Sequence, residues 1–371
     1  MGTSDRDKEA PASPAATAST SMSPGAENAP AGGAAVLVEP GTETSAGRPA
    51  VRESGLPRVS VVVPVLDAED EIDRLLDSLE ALDYPRDRLE VLVVDNGSRD
   101  GTPARIARHA DVTLLRETRI RSSYAARNRG VEAASGEWVA FTDADCVAPP
   151  DWLRRLLAPG LPDHAGAVAG EVLALEARTP VQRLTERYGI MKHAVTMPHK
   201  ALPGFSTANV AIRRDLLRAL GGFREDVRFF GDMELAWRMQ IASGAGVVFR
   251  PDAVIRHRHR RTWCALWRHG RQHGRGVAFM KSVYPDRYRL RLGEQLGRIV
   301  GIARAPFADS SGSADREMRE GSPGNLAALT PGALARERLY APAFLTVWYG
   351  GMAVGYLMGP AWSEARSKPR T

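Results

Sequence analysis

Short apolar runs alternate with helix-like segments through the middle of this chain, and that alternation limits its fold more than any other feature. Four runs read as strands: 59–63, 89–94, 112–115 and 138–141. Three segments carry apolar residues at helical spacing or a helix-opening signal: 69–82, the segment opened by Thr102 and Pro103, and 124–134. Continuous apolar runs are typical of strands covered on both faces. Strands that alternate with helices in this way predict a mainly parallel α/β sheet with right-handed crossovers.

The carboxyl ends of these strands predict where a ligand binds, because ligands of open parallel sheets bind outside that edge. Pro64 and Val65, Asp95 and Asp143 all fall at strand ends. A dehydrogenase would carry G-x-G-x-x-G after its first strand. That turn is absent from the sequence here, which argues against a nicotinamide cofactor.

Asp143 and Asp145 follow the fourth strand, and their spacing indicates a metal site. Residues two apart on a strand share a side, so two such carboxylates repel each other unless a cation lies between them. Their oxygens suit Mg²⁺ or Mn²⁺, and an ion with few protein ligands typically completes its shell with phosphates. The pattern therefore indicates a nucleoside diphosphate ligand. A solvated turn is the alternative, because Asp is common after strands.

The residues around these aspartates resemble the D-x-D region of the family 2 glycosyltransferases, which have the GT-A fold. Arg127-Asn128, Gly130 and Gly136-Glu137 precede the fourth strand in the order and spacing of that family. The segments VSVVVPVLDAED and VLVVDNGSRDGT are similar to its first two strands. In the first, Leu-Asp replaces the more usual Tyr-Asn, and in the second, Asn stands where a second Asp is common.

The resemblance covers residues 58–279 and implies a Rossmann-like GT-A domain, with a mixed, mainly parallel sheet flanked by helices. The nucleotide-sugar site that it implies consists of Pro64, Val65, Glu69, Asp95, Arg127 and Asp143. In relatives the residue matching Asp95 contacts the base of the nucleotide. Turn capping is the alternative role for Asp95, and a charge at a helix N-terminus is the alternative for Glu69.

Residues 204–244 resemble the acceptor-side block of the same family, in which a strand and a helix lead to Gly-Gly-Phe and then to Glu-Asp. The predicted strand is 209–212 and the predicted helix is 214–220. The resemblance implies that Asn209 and Gly231 lie on the acceptor side, with Gly231 in place of the first acid, and that Asp232 is the catalytic base. Inverting transfer needs such a carboxylate to take the proton of the acceptor hydroxyl. Glu234 is the rival base, and helix capping is the alternative role of Asp232.

His257 and His259 follow a predicted strand at 247–249, and strand alternation would point both to one side. A histidine at this position serves some GT-A enzymes as a further metal ligand, so either side chain is a candidate ligand of Mn²⁺ or Mg²⁺. Basic surface is the alternative. Residues 272–276 lack the Trp that follows Arg in the Q-x-x-R-W motif of processive relatives, which predicts one or few additions rather than long-chain synthesis.

Composition narrows the partners and the compartment. The 371 residues include 50 Lys and Arg but only 44 Asp and Glu, and the resulting net charge of +6 favours anionic partners. The two cysteines have no metal-finger spacing, which argues against a disulfide scaffold and against structural zinc. The N-terminus lacks the apolar core of a secretory signal, so we expect a cytosolic catalytic domain.

The order of segments predicts five regions. They are a disordered Ala/Pro/Ser-rich tail at 1–56, the glycosyltransferase domain at 57–280, a basic amphipathic helix at 281–304, a linker at 305–335, and a hydrophobic segment at 336–371 that is a candidate membrane anchor. The catalytic domain divides into a nucleotide-sugar half, 57–150, and an acceptor half, 151–280. In the acceptor half, 151–158 reads as a helix, 167–175 as a strand and 179–206 as an irregular lid or binding loop.

The uncharged stretch 340–362 is long enough to cross a bilayer, and its glycines recur every four residues, as in close-packed membrane helices. A buried or membrane-surface helix is the alternative. Together these features predict a metal-dependent inverting glycosyltransferase that moves a sugar from a nucleoside diphosphate, UDP first, to a hydroxyl of a glycan or lipid-linked acceptor. It would act at the cytoplasmic face of a membrane, or in the cytoplasm if the segment does not insert. A retaining GT-A enzyme and a sugar nucleotidyltransferase are the alternatives. A basic module that binds membranes or nucleic acid is less favoured, because no nucleic-acid motif is present.

Overall fold

The structure is a computed structural model that describes residues 37–38, 55–197, 202–288 and 331–361, with the backbone alone at 37–38 and 331–338. Strands in this part of the chain form one sheet: β1 Leu37–Val38, β2 Val59–Val65, β3 Leu89–Asp95, β4 Val112–Arg116, β5 Trp138–Phe141, β6 Cys146–Val147, β7 Ala165–Ala174, β8 Val210–Arg213 and β9 Gly246–His257. The helices are α1 Ile72–Glu80, α2 Thr102–Ile106, α3 Ser123–Ala133, α4 Trp152–Leu156, α5 Pro180–Arg187, α6 His193–Thr196, α7 Arg214–Ala219, α8 Gly231–Ser243, α9 Trp263–Val283 and α10 Pro331–Leu357. The predicted α/β architecture is confirmed.

The sheet is mixed but mainly parallel. Its strand order is β1-β9-β7-β8-β5-β2-β3-β4, and β6 pairs with β9 off this path. Strands β5, β2, β3 and β4 run parallel to one another, whereas β8 runs antiparallel to both β5 and β7. The carboxyl ends of β2, β3 and β5 therefore open on one edge, as the sequence predicts.

Strand β2 continues through Pro64, and the prediction that this proline ends the strand is wrong. Pro64 lies opposite Val94 of β3, and the strand runs on to Val65. On the other side of β2 the register with β5 ends at Val62, opposite Phe141. The missing N–H of Pro64 therefore falls where β2 is locally an edge, and no ladder hydrogen bond is lost.

The segment predicted as an irregular lid at 179–206 contains two helices, α5 and α6. Thr179 and Gln182 form a capping box at the start of α5, in which each side chain bonds the backbone N–H of the other residue. Pro180 occupies the first helical turn, where its missing N–H costs nothing. This T-P-x-Q sequence is a helix start signal that could have corrected the prediction. Residues 198–201 of the segment lie outside the described part.

Strand β9 is much longer than the predicted 247–249. Its register with β7 jumps from Gly170 opposite Arg250 to Glu171 opposite Val254, so three residues of β9 bulge out of the ladder. Pro251 lies in this bulge, and because proline usually interrupts a strand, the sequence does not show that the strand continues beyond it. Beyond the bulge, β9 resumes and carries His257 to the carboxyl end of the sheet.

Two apolar layers cover the sheet and fix its edge. On one face, Ile72 of α1 and Trp152 of α4 are buried, and on the other face Val131 of α3 and Trp237 of α8 are buried. Burying side chains of this size contributes about 1.5–3 kcal/mol each. The helices that these anchors hold in place also position the loops at the carboxyl edge.

Helices α9 and α10 pack closely through glycines. A Cβ at Gly274 of α9 would overlap the carbonyl oxygen of Met352, and a Cβ at Gly355 of α10 would overlap that of Arg271. A Cβ at Gly351 would approach the carbonyl oxygen of Trp267 to 2.7 Å. Beside this seam, buried side chains of α5, α9 and α10 form a small apolar cluster: Val181, Leu184, Leu266, Ala341, Phe344, Leu345 and Trp348.

This helix pair changes several predictions for the C-terminal region. Helix α10 begins at Pro331, inside the predicted linker at 305–335, and residues 281–283 belong to α9. Among the described residues no helix combines the length and apolarity needed to cross a bilayer, contrary to the crossing predicted for 340–362. The rest of the predicted amphipathic helix and linker, 289–330, lies outside the described residues, as does most of the tail at 1–56. Within that tail, Leu37–Val38 form β1.

Replacing Gly274 with Ala is expected to destabilise the protein by about 1–3 kcal/mol, because the added methyl group meets backbone and forces two helices apart. Gly350→Ala is the matched control, since its Cβ meets the ring edge of the half-exposed Trp267, which can move. Alanine otherwise favours a helix over glycine. The free energy of unfolding from urea titration measures both. Equal stability of the two variants would show that α9 and α10 are not closely packed in solution.

Candidate active site

The candidate metal ligands Asp143, Asp145 and His257 come together at the carboxyl edge of the sheet. Their ligand atoms all lie within 4.8 Å of one another, and His257 Nε2 is 3.4 Å from Asp145 Oδ1. Strand β6 causes this approach, because it starts directly after Asp145 and pairs Cys146 with His257. Two carboxylates and an imidazole form a donor set that suits Mn²⁺.

His259 lies behind His257 and faces away from the aspartates. The two Nδ1 atoms are 3.3 Å apart, and His259 Nε2 is 3.2 Å from Glu186 Oε2 on α5. Lys192 Nζ lies 2.8 Å from the other oxygen of Glu186. Burial opposes ionisation of Glu186, but hydrogen bonds from His259 and Lys192 outweigh it and lower its pKa to about 2. Of the two histidines predicted from sequence, the structure thus places His257 with the aspartates and His259 in a supporting position.

Arg127 of α3 links the aspartates to the far side of the crevice. Its guanidinium is 2.6 Å from Asp143 Oδ1 and lies over the Tyr124 ring at 5.7 Å. Its Nε is buried and makes no hydrogen bond to any described residue. Leaving a buried donor unpaired costs about 1–3 kcal/mol, so this group suits an anionic ligand that accepts its hydrogen bond.

Asp232 lies in the first turn of α8. Its Oδ1 accepts the backbone N–H of Met233 at 2.9 Å, and the N–H of Thr207 also donates to the carboxylate. Burial raises the pKa of Asp232, Arg127 lowers it and Asp143 raises it. Because the charges of Arg127 and Asp143 act on Asp232, the predicted base and a predicted metal ligand belong to one electrostatic cluster.

The backbone before Asp232 is held in an unusual conformation. Phe230 has φ 64°, in the left-handed region, and its ring fits against Gly276 of α9, where a Cβ would overlap it. The N–H of Gly231 donates to the hydroxyl of Tyr124 at 2.9 Å. A Cβ at Gly231 would come within 2.8 Å of the Tyr124 ring, so a larger residue does not fit here unless the ring moves. Gly231 thus allows the backbone before Asp232 to pack directly against the Tyr124 ring.

Glu234, the rival base, is engaged elsewhere. It is 2% exposed, its Oε1 lies 2.9 Å from Arg238 Nε, and Tyr284 Oη lies 3.4 Å away. Arg238 also donates to the carbonyl oxygens of Leu220 and Gly222. The pair therefore ties α8 to the turn after α7.

Two interlocked loops form the predicted nucleotide side of the crevice. The Glu69 carboxylate accepts the N–H of Gly101 at 3.0 Å, and Asp95 Oδ1 accepts the N–H of Ser98 at 3.0 Å. Asp67 has φ 49° and accepts the N–H of Arg99 at 2.8 Å. Glu69 and Asp95 thus both shape the loops, and their contact with a nucleotide stays a prediction. Pro64 and Val65 are buried in β2, beneath these loops.

Asn209 is a structural residue of the sheet rather than part of an acceptor surface. Its amide nitrogen donates to the carbonyl oxygens of Glu171 and Ala253 at 2.8 and 2.7 Å, and its Oδ1 accepts the indole N–H of Trp152 at 2.9 Å. The side chain is fully buried and fills the bulge of β9. Its predicted place on the acceptor side is therefore corrected, because both polar atoms of the amide are already hydrogen-bonded inside the sheet.

Sequence reasoning missed Tyr124, Glu186 and Lys192. Tyr124 reads as an ordinary apolar position of a helix, and its contact with Gly231 spans 107 residues. Glu186 falls in the segment predicted as an irregular loop, because that prediction makes no use of the capping box that starts α5. Once α5 is recognised, Glu186 lies on the same face as Gln182, which donates to the carbonyl oxygen of His259.

Comparison with known proteins agrees with this fold. The model of the family described as "Glycosyl transferase family 2" matches residues 60–221. The chain is 33% identical over 212 residues to Glycosyltransferase AglE of Haloferax volcanii, covering 55% of this chain and 68% of that protein. It is 30% identical over 217 residues to the Pre-mycofactocin glycosyltransferase of Mycobacterium tuberculosis, covering 56% of this chain and 44% of that relative. The match to this chain thus covers less than half the length of the mycobacterial relative.

A solved structure extends the likeness over most of the chain. The mannosyltransferase PcManGT from Pyrobaculum calidifontis, in complex with GDP-Man and Mn²⁺, is 27% identical with a TM-score of 0.55. The alignment covers 83% of this chain and 89% of PcManGT. The fold is of the GT-A type. The chain belongs to glycosyl transferase family 2, as its resemblance to that family predicts.

Proposed function

We propose that this protein transfers a sugar from a nucleoside diphosphate to an acceptor hydroxyl with inversion at the anomeric carbon. The observation that carries the proposal is the convergence of the ligand atoms of Asp143, Asp145 and His257 within 4.8 Å, with Asp232 near enough for the charge of Asp143 to raise its pKa. A transferase of this kind needs a site for the diphosphate and a base for the acceptor, and these residues supply both.

The metal fits the residues that surround it. Asp143, Asp145 and His257 would hold Mn²⁺ or Mg²⁺, and the bound ion would neutralise charge on the departing diphosphate. Arg127 adds a fixed positive charge beside Asp143 and a buried donor without a described partner. These protein groups bind and orient the diphosphate before transfer.

Asp232 is the proposed base. Its carboxylate is held by two backbone N–H groups, and a carboxylate can accept the acceptor proton through a lone pair that these bonds leave free. Burial raises its pKa, which makes the carboxylate a stronger base than an exposed aspartate. A retaining mechanism would give this placed carboxylate no task, which favours inversion.

The donor base is proposed as uracil first and guanine second. Uracil follows from the sequence resemblance, and guanine is added because PcManGT is described in complex with GDP-Man. The acceptor is proposed to be a glycan or a lipid-linked sugar of the cell envelope.

We propose that the protein works against an anionic membrane surface on the cytoplasmic side. Leu339 and Leu357 are 77% and 83% exposed along α10, and Arg268 and Arg271 are exposed on the adjoining helix α9. Exposed apolar side chains beside arginines suit the interface of an anionic bilayer.

A thermal-shift panel of UDP- and GDP-sugars tests the donor. A donor at 100 times its Kd adds about 2.7 kcal/mol of stability, so we expect Tm to rise by about 5 °C with Mn²⁺ and far less with EDTA. UMP and GMP are the matched controls, because they keep the base but lack the diphosphate. A shift that is equal with and without the metal, or equal for the monophosphates, would contradict a metal–diphosphate site.

A further inference from the structure

A buried chain of polar side chains runs away from the candidate metal site into the protein. From Asp145 it passes to His257 at 3.4 Å, to His259 at 3.3 Å and to Glu186 at 3.2 Å, and it ends on Lys192 at 2.8 Å. His257, His259 and Glu186 are each at most 7% exposed. The two histidines and Glu186 therefore lie out of water, whereas Asp145 and Lys192 at the two ends are partly exposed.

The protons along this chain can be placed by comparing its two carboxylates. A neutral imidazole has one N–H donor and one lone-pair acceptor, so two imidazoles bring two protons to three contacts and one carboxylate faces a lone pair. The side chain of Glu186 is 5% exposed and that of Asp145 is 27% exposed, so a lone pair costs more opposite Glu186, and His259 Nε2 carries the proton there. His259 Nδ1 is then an acceptor, and His257 Nδ1 donates to it. This leaves the lone pair of His257 on Nε2, facing the partly hydrated Asp145, where a bound cation would lie between the two.

The scaffold fixes the far end of the chain. Glu186 Oε2 also accepts the N–H of Ala174 at 2.9 Å, and Gln182 donates to the backbone carbonyl oxygen of His259. Helix α5, which carries Glu186, is anchored by Val181 and Leu184 against α10. Glu186 therefore cannot easily turn to present a different hydrogen-bond pattern.

We propose that Glu186, through His259, is a positioning residue that holds His257 as its Nδ1–H tautomer, so that Nε2 is ready to bind a divalent cation. This inference rests on the metal site of the proposed function. Outer partners that orient a ligand histidine typically affect metal affinity 10–100-fold. Without the chain, His257 can place its proton on Nε2, and that N–H would point at the cation.

The tautomer can be measured without any metal. Protein with ¹⁵N-labelled histidine is studied by long-range ¹H–¹⁵N NMR at about pH 8, above the ordinary histidine pKa, and His257→Asn identifies the signals of His257. We expect an N–H at Nδ1 of His257 in the native protein and a mixture of tautomers in Glu186→Leu. Glu186→Gln keeps an oxygen that can accept from His259 and should keep the native tautomer. A native protein with the His257 proton on Nε2 would overturn the proposal.

Manganese affinity gives the second readout, measured by electron paramagnetic resonance of free Mn²⁺. We expect Kd to rise 10–100-fold in Glu186→Leu and by less in Glu186→Gln. Glu171→Gln is the control for Glu186→Gln: Glu171 is a buried carboxylate whose oxygens accept backbone N–H groups of Val172, His193 and Ala194. Its Kd should stay within about twofold of native. Equal affinity in Glu186→Leu and native protein would refute the positioning role, whereas native protein that binds no Mn²⁺ would refute the metal site of the proposed function.

Discussion

Asp232→Asn is expected to lower kcat by about 10²–10⁴-fold while donor binding stays intact, because the amide cannot take the proton of the acceptor hydroxyl. The amide oxygen can still accept the N–H of Met233, so the start of α8 should keep its geometry. The proposed donor site consists of Asp143, Asp145 and His257, and the substitution removes none of these side chains. Loss of turnover without loss of donor binding is the signature of a base.

Initial rates with the donor found in the thermal-shift panel measure kcat, and calorimetry with UDP or GDP and Mn²⁺ measures donor binding. Asp215→Asn serves as the matched control, since Asp215 is an exposed aspartate near the start of α7 that pairs with Arg213. It should leave both quantities unchanged. Normal turnover by Asp232→Asn would move the base elsewhere and leave the inverting mechanism without its acceptor-side group.

Asp145→Ala is expected to weaken Mn²⁺ binding by more than about 100-fold, beyond the range for outer partners of a metal ligand. The change removes one of two carboxylates and leaves His257 facing a methyl group. Asp143→Ala should have an effect of similar size, but it also frees Arg127 from its ion pair and is therefore harder to interpret. Diphosphate binding that depends on the metal should disappear in both variants.

Calorimetric titration of UDP with and without Mn²⁺ detects this loss. Asp151→Ala is the matched control, because Asp151 lies nearby in sequence, between β6 and α4, pairs with Arg155 and stands outside the metal cluster. If Asp145→Ala bound metal and nucleotide as the native protein does, Asp143, Asp145 and His257 would not be the ligands.

The parallel half of the sheet could be predicted from the sequence because each of its strands is a continuous apolar run. β5 was placed at its observed residues, and β3 differs by one residue. Parallel strands also fix where their ends meet, so Asp143 and Asp145 could be assigned to the crevice without knowing any contact between side chains.

The acceptor half was less predictable because long-range packing decides it. The bulge of β9 separates residues that a pattern search reads as two segments, and Asn209 bonds across it to Ala253, 44 residues away. The sequence around Asn209 gives no sign that the amide of this residue fills the bulge of β9. In the same way, His257 and His259 look alike in sequence, and the position of Glu186 distinguishes them.

The packing of α10 against α9 also affects how the protein folds while it is being translated. The ribosome completes α9, Val181 and Leu184 well before it makes Phe344 and Trp348, which cover them. Until then the nascent domain exposes this hydrophobic surface to water. Surfaces of this kind are bound by chaperones and promote aggregation of incomplete chains. Since Gly276 of α9 contacts Phe230 and α10 packs against α9, the backbone before Asp232 is expected to reach its final arrangement only after α10 has been made and has docked.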